Sequence, residues 1–275
     1  MNATWQALAR EAGLAAEHMG MGVTALAKAN YAHQAHYPQA FFALSIGMER
    51  AAKLALVVDY AIQNQGVFPD NKQLRQYGHN LKSLLIAVDA ISASGRLSAD
   101  TRRLPQSAIH DGIIDTLTEF ASNITRYYNL DLVTNAPGVA QKTDPVANWF
   151  LRVVEPILAK HATAKRKSKV ESNAAIIEAL TGDIAMVLHH SETGQTLNTV
   201  YDASRQTGMN KAAEPNVRLY VLQIVRFLAS VLSELGYKAY EVSAEDIPHL
   251  SDFFGIFNND DAMLKRRKTW SIYNP

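Results

Sequence analysis

The sequence predicts an all-α protein: an antiparallel helical bundle over residues 1–132, a linker over 133–145 and a second helical region over 146–275. Three observations point there. Apolar residues recur at spacings of three and four along almost every apolar stretch, and strand-type alternation is scarce. Four long patterns of this kind come first, with mostly short connections, as an antiparallel bundle requires. Hydrophobic residues make up 48% and charged residues 19% of 275 residues, enough apolar material for a sizeable core.

The first helix is expected over 4–30, with Trp5, Leu8, Ala12, Ala15, Met19, Val23 and Leu26 on one side. The second begins at Pro38, whose missing N–H costs nothing in a first turn, and stops at Gly66, a common C-terminal stop. A loop over 66–78 leads to a third helix from His79 to Gly95, carrying Leu81, Leu84, Leu85, Val88 and Ile91. The fourth, over 106–129, has Ile109, Ile113, Leu117, Phe120, Ile124 and Tyr127 as its stripe. Two prolines and a glycine mark 134–145 as a linker. A helix over 146–161 is expected to bend or break near Pro156, which lacks a backbone donor. Residues 161–172 read as a loop, and helical patterns return at 173–190, 216–235 and 244–257, the last opening on a Ser243/Asp246 capping pattern. The stretch 193–204 reads as a loop or as short strands. The region from 146 onward is a separate domain or an extension packed on the bundle.

Composition narrows the chemistry. With 27 Lys plus Arg against 26 Asp plus Glu, net charge is +1, so any basic surface must be local. The absence of cysteine excludes disulfides, thiolate zinc sites and cysteine nucleophiles, and fits a reducing compartment. Arg10, Glu11, Glu17 and His18 interrupt the N-terminal apolar residues, unlike a signal peptide. Between Phe41 and Ala61, Glu49, Arg50, Lys53 and Asp59 interrupt a stretch that a spanning helix would keep apolar for about 20 residues. The expectation is a soluble cytoplasmic protein without a membrane partner. His33/His36 and His189/His190 are pairs that lack the rest of a zinc ligand set, so no metal is expected. Phosphate-loop, dinucleotide and serine-hydrolase motifs are missing, and no cofactor is expected.

The chemical content lies in three places. Phe42, Ile46, Glu49, Lys53, Leu56 and Tyr60 share one face of the second helix, so Glu49 and Lys53 stand among apolar neighbours. They are either an intrahelical ion pair or part of a polar pocket that orients a base or a ligand. In the segment Arg75-Gln-Tyr-Gly-His79, His79 is a helix cap, a core histidine or a proton carrier at neutral pH. Arg126, expected in the last turn of the fourth helix, complements the helix dipole or offers a fork of donors to phosphate. Tyr127 and Tyr128 beside it supply a hydroxyl, a stacking face or plain core aromatics.

Two segments are basic. Lys160, Lys165, Arg166, Lys167 and Lys169 fall within ten residues that hold no acid, and Lys265 to Lys268 run beside Trp270 and Tyr273. Such patches bind nucleic-acid phosphate with aromatics stacking on bases, or are ordinary solvated charge.

The string from Met48 to Leu85 resembles the HEPN superfamily, the higher eukaryote and prokaryote nucleotide-binding helical bundles. The resemblance rests on Glu49-x-x-x-Lys53, then Gly78-His79-x-Leu81, with Arg126-Tyr-Tyr-Asn-Leu130 as a later element similar to abortive-infection bundles. It covers about residues 38–130 and implies an all-α bundle that often forms a homodimer. In catalytic members it implies metal-independent RNA cleavage, with the 2′-hydroxyl attacking the adjacent phosphate. By resemblance, His79 moves the proton, Arg126 or Arg75 stabilises the phosphate, Glu49 orients His79, and the protein is an RNA-cleaving effector or toxin in phage defence. Lys53, Tyr127 and Tyr128 would bind the RNA, joined by Lys165, Arg166 and Lys167 from the basic segment outside the resemblance, and residues 146–275 are open as a sensor or a region that docks a protein partner. Other members bind a nucleotide or a partner protein without cleavage, which is the alternative expectation. The chain departs from the usual pattern, because Arg75 and His79 enclose only three residues; the pair Arg103/His110 encloses six but begins in a proline-containing loop.

Overall fold

A computed structural model describes residues 2–122, 125–242 and 244–272. Ile124, Ser243 and Tyr273, which carry part of the expectations above, lie outside the described residues. The fold is all-α. Its first pair is α1 (Ala3–Leu26) and α2 (His36–Gln63). The side chain of Asn2 caps α1 by accepting from the Trp5 N–H at 2.9 Å. The seam between the pair is built from small residues, including Ala12, Ala15, Ala16, Ala40 and Ala51, all fully buried. A Cβ on Gly47 would stand 2.8 Å from the Met19 backbone nitrogen, and one on Gly22 would stand 2.9 Å from that of Leu44. The two backbones touch there, and only glycine permits it.

Beyond α2 come α3 (Asn71–Gln76), α4 (Leu81–Ala93) and α5 (Ala108–Ala121). The short α3 lies in what the periodicity reads as a loop; Asp70 and Gln73 form a reciprocal capping box at its start. Leu81, Leu84, Leu85, Val88 and Ile91 are buried, so the stripe read for the third helix is the face α4 turns inward. Two corrections follow. Asn80, and not His79, caps α4. The helix expected over 106–129 ends at Ala121, and residues from Tyr128 start a separate short helix, α6 (Tyr128–Val133). Arg126 therefore sits in the turn between two helices and not in a last helical turn.

The linker region holds a single 3-10 turn, and then α7 (Pro145–Trp149), a π-turn over Phe150–Val154 and α8 (Glu155–His161) run on without a break. The expected break at Pro156 is replaced by the π-turn just before it, a common way of absorbing a missing donor within a helix. Helix α9 (Ala164–Thr181) starts much earlier than expected and ends sooner. The basic residues 165–169 thus lie on helix and not in a loop. A two-stranded hairpin, β1 (His189–His190) with β2 (Thr196–Leu197), precedes the longest element, α10 (Val200–Glu241).

Helix α10 is 42 residues long, against the 20 expected over 216–235. Thr199 and Asp202 cap it reciprocally, and Pro215 lies within it. Among the described residues it is the helix long and apolar enough to cross a membrane, but 83% of that stretch is buried in the fold. Helices α11 (Ser251–Phe254) and α12 (Asp261–Arg266) close over its C-terminal half, in place of one helix over 244–257. One hydrophobic cluster runs from Ala12 through Phe41, Leu85, Leu117 and Trp149 to Phe227, Phe257 and Trp270. The region after residue 146 shares its core with the helices before it.

Candidate functional site

Helix α2 carries both groups of interest on one face. Glu49 and Lys53 are one turn apart, with Lys53 Nζ 3.0 Å from Glu49 Oε1. Gly78, with φ of 66°, turns the chain after α3 so that His79 comes back over α2. His79 Nδ1 then lies 2.8 Å from the same Glu49 oxygen and 3.2 Å from Lys53 Nζ. One ring nitrogen cannot donate to the carboxylate and accept from the ammonium together. The shorter contact favours Nδ1–H donating to Glu49, with Lys53 also donating to Glu49. That tautomer leaves Nε2 as an acceptor on a side chain that is 85% exposed, above a carboxylate that is 21% exposed.

Arg75 is exposed on α3, with Gly78 turning the chain between it and His79. Neither Arg75 nor Arg126 hydrogen-bonds His79 among the described residues. Of the expected catalytic set, the structure brings Glu49 and His79 together with Lys53 and leaves both arginines elsewhere. The pair Arg103/His110 is also split. Arg103 forms a two-pronged contact with Asp89, at 2.8 and 2.6 Å, while buried His110 hydrogen-bonds Gln223 at 2.9 Å and Ser107 at 2.8 Å. Burial holds the His110 imidazole below its ordinary pKa.

Seven residues before Glu49 on the same face, Phe42 meets Arg126. The rise of a helix puts these levels about 10 Å apart. Arg126 Cζ lies 5.1 Å from the Phe42 ring centroid and 5.7 Å from that of Phe120, so two rings hold the guanidinium by cation–π contact. Among the described residues no carboxylate pairs with it, and its buried Nε has no acceptor. Among the described residues the buried Thr125 hydroxyl beside it also has no partner. Both line a cavity of about 360 Å³ whose wall includes Gln34, Phe41, Tyr128 and Asn129. Tyr127 lines the same cavity and is largely exposed. Asp144 reaches this wall too, but its Oδ1 caps α7, accepting from the Val146 and Ala147 N–H groups at 2.7 and 2.9 Å.

An unmade hydrogen bond on a buried donor costs about 1–3 kcal/mol. Two such groups stand in residues that line one cavity. The guanidinium suits phosphate or carboxylate, and the tyrosines offer faces to a planar group attached to it.

The residues that shape this site, Phe42, Phe120 and Thr125, were legible only as members of apolar stripes or of a helix end. Nothing in sequence order links Phe42 to Arg126, 84 positions later. The C-terminal basic run differs from its expected use. Trp270 is buried, packs on Phe257 and takes the Arg267 side chain 4.9 Å over its ring, so it has no face to offer a base. The carbonyls of Lys265 and Arg267 accept from buried Arg218. Lys165 and Arg166 are exposed at the start of α9 and Lys167 is half-buried. Among the described residues no group of three or more His, Asp or Glu is placed to hold a metal ion. Comparison with protein families, curated proteins and solved structures finds no match to this chain.

Proposed function

We propose that the chain is a HEPN-like helical module that binds a nucleotide, with its phosphate on Arg126. The observation that supports this reading is the unpaired Arg126 guanidinium, clamped by Phe42 and Phe120 in a cavity wall beside the unpartnered Thr125 hydroxyl. A cavity of about 360 Å³ is within the range of small-molecule sites. Titration calorimetry with AMP, ATP and GTP tests it. Wild type is expected to bind at least one of them and Arg126→Ala none. Silence of the folded wild type with all three would overturn the reading.

A second reading is favoured by a different observation, the His79–Glu49 contact that leaves His79 Nε2 open. It is metal-independent RNA cleavage, as an effector or toxin in phage defence. His79 would take the 2′-hydroxyl proton, and Arg126 or Arg75 of a second copy would meet the phosphate across a dimer. Total RNA incubated with the protein in EDTA would then lose discrete bands and gain cyclic-phosphate ends, and His79→Ala would leave the RNA intact. Equal cleavage by both proteins would remove His79 from the chemistry.

A further inference from the structure

Among the described residues nothing covers the solvent side of α9 or the segment after it. Ile184, in the turn that ends α9, and Met186 and Leu188, between that turn and β1, are 86%, 84% and 82% exposed. Ile176, Ile177 and Leu180 on α9 are also exposed. Six large apolar side chains are thus exposed within 13 residues, a concentration that soluble monomers rarely carry without use.

The same face of α9 is basic at its other end. Lys165, Lys169, Ile176 and Leu180 fall within about 60° of arc on the helix, turned away from Val170 and Ala174, which are buried. Among the described residues none of Lys165, Arg166, Lys167 and Lys169 pairs with a carboxylate. Lys165 to Lys167 also stand in the first turn, where the helix dipole disfavours cations. The helix acids point elsewhere: Glu171 lies 3.9 Å from Arg205, and Glu178 accepts from the Tyr201 N–H, both on α10. Asp183 is an exposed acid beside Ile184.

We propose that this face docks on an anionic lipid bilayer, with Ile184, Met186 and Leu188 entering the interface and Lys165, Arg166 and Lys169 on the headgroups. Charge decides the occupant. A second copy packed parallel would set lysines against lysines, and packed antiparallel would set Lys165, Arg166 and Lys169 against isoleucines and the single exposed acid Asp183. A negatively charged membrane supplies both the apolar medium and the countercharge. The apolar side chains stand out from the surface, a shape that enters a deformable interface. The sequence expectation of no membrane partner rested on the lack of a spanning segment, and surface docking needs none. The proposal is independent of the Arg126 cavity.

Vesicle flotation tests it, using phosphatidylcholine vesicles with and without phosphatidylserine. Wild type is expected to float with the anionic vesicles, not with the neutral ones, and to be released by high salt. The double variant Lys165→Glu/Lys169→Glu is expected to partition at least about tenfold more weakly. Ile184→Ser/Leu188→Ser is expected to lose flotation. Both should keep the wild-type thermal melt, because the side chains they change bury almost nothing. Wild type remaining in solution with anionic vesicles would overturn the proposal, and so would either double variant floating as wild type does. Light scattering that shows a dimer converted to monomer by the apolar double variant, without vesicle binding, would assign the face to a second copy instead.

Discussion

Two polar groups stand two turns apart on the same face of α2, and they are built in opposite ways. Around Glu49 every charge is answered: Lys53 and His79 both reach one carboxylate oxygen, and the imidazole is open to water. Around Phe42 the charge is unanswered among the described residues: Arg126 has two aromatic rings and no anion. A satisfied cluster adds a small increment to stability and leaves nothing to recover by binding. An unsatisfied one is costly in the free protein and gains when a ligand arrives. The difference is the reason Arg126, and not His79, anchors the proposed site.

The sharpest way to break this comparison is to remove each centre in turn. Arg126→Ala is expected to weaken nucleotide binding by about 2–3 kcal/mol, the scale of hydrogen bonds to a charged group. Glu49→Gln is expected to leave the same calorimetric affinity unchanged. Equal losses in both would merge the two clusters into one site.

Thr125→Val sharpens the contrast because its two effects have opposite signs. Removing a buried hydroxyl that has no partner should raise the melting temperature of the free protein. If the hydroxyl serves the ligand, the same change weakens binding by about 1 kcal/mol. A lower melting temperature would mean that the hydroxyl is satisfied in the free protein.

The histidines make a parallel test in pH. Burial lowers the pKa of His110, and His161 is lowered by burial and by the nearby Lys160 and Lys265 charges. In the unfolded chain both recover an ordinary value near about 6.5. The unfolded state then binds more protons below that pH, so stability is complete above it and falls as pH drops through the window down to the folded values. Urea unfolding at a series of pH values should show this slope, and His110→Gln should flatten it. A slope of the opposite sign would contradict the neutral, buried His110.

The smallest expected effect belongs to Glu49 and Lys53. A double-mutant cycle on thermal or urea unfolding should return a coupling of about 0.5 kcal/mol, as for other partly exposed pairs one turn apart. A coupling several times larger would make this cluster a structural keystone.

Much of the architecture was legible because burial writes itself into helical spacing. Leu81, Leu84, Leu85 and Val88 could face only one way. Helix α9 was hidden because it buries little beyond Val170 and Ala174, so its sequence has no stripe and its lysines read as loop. The first half of α10 was hidden for a similar reason: Asp202, Arg205, Asn210 and Lys211 interrupt the apolar pattern, and Pro215 looks like a stop. The contact of His79 with Glu49 was expected only from the family resemblance; spacing placed Glu49 on its helix face and did not bring His79 to it. The clamp on Arg126 was not legible, since it needs Phe42 and Phe120 from separate helices, and the periodic residues beyond Ala121 extended the fourth helix too far.

The placement of α10 also bears on how the chain comes off the ribosome. Helices α1 and α2 are joined by a short turn, so their glycine seam can close as soon as residue 63 is free. The faces of α2, α4 and α5 that rest on α10 must then wait for a helix that ends at residue 241. During that interval a broad aliphatic surface is uncovered, the condition under which nascent chains recruit chaperones or aggregate. Truncations ending before residue 216 should accordingly be insoluble when expressed alone, even though they contain an intact helical hairpin.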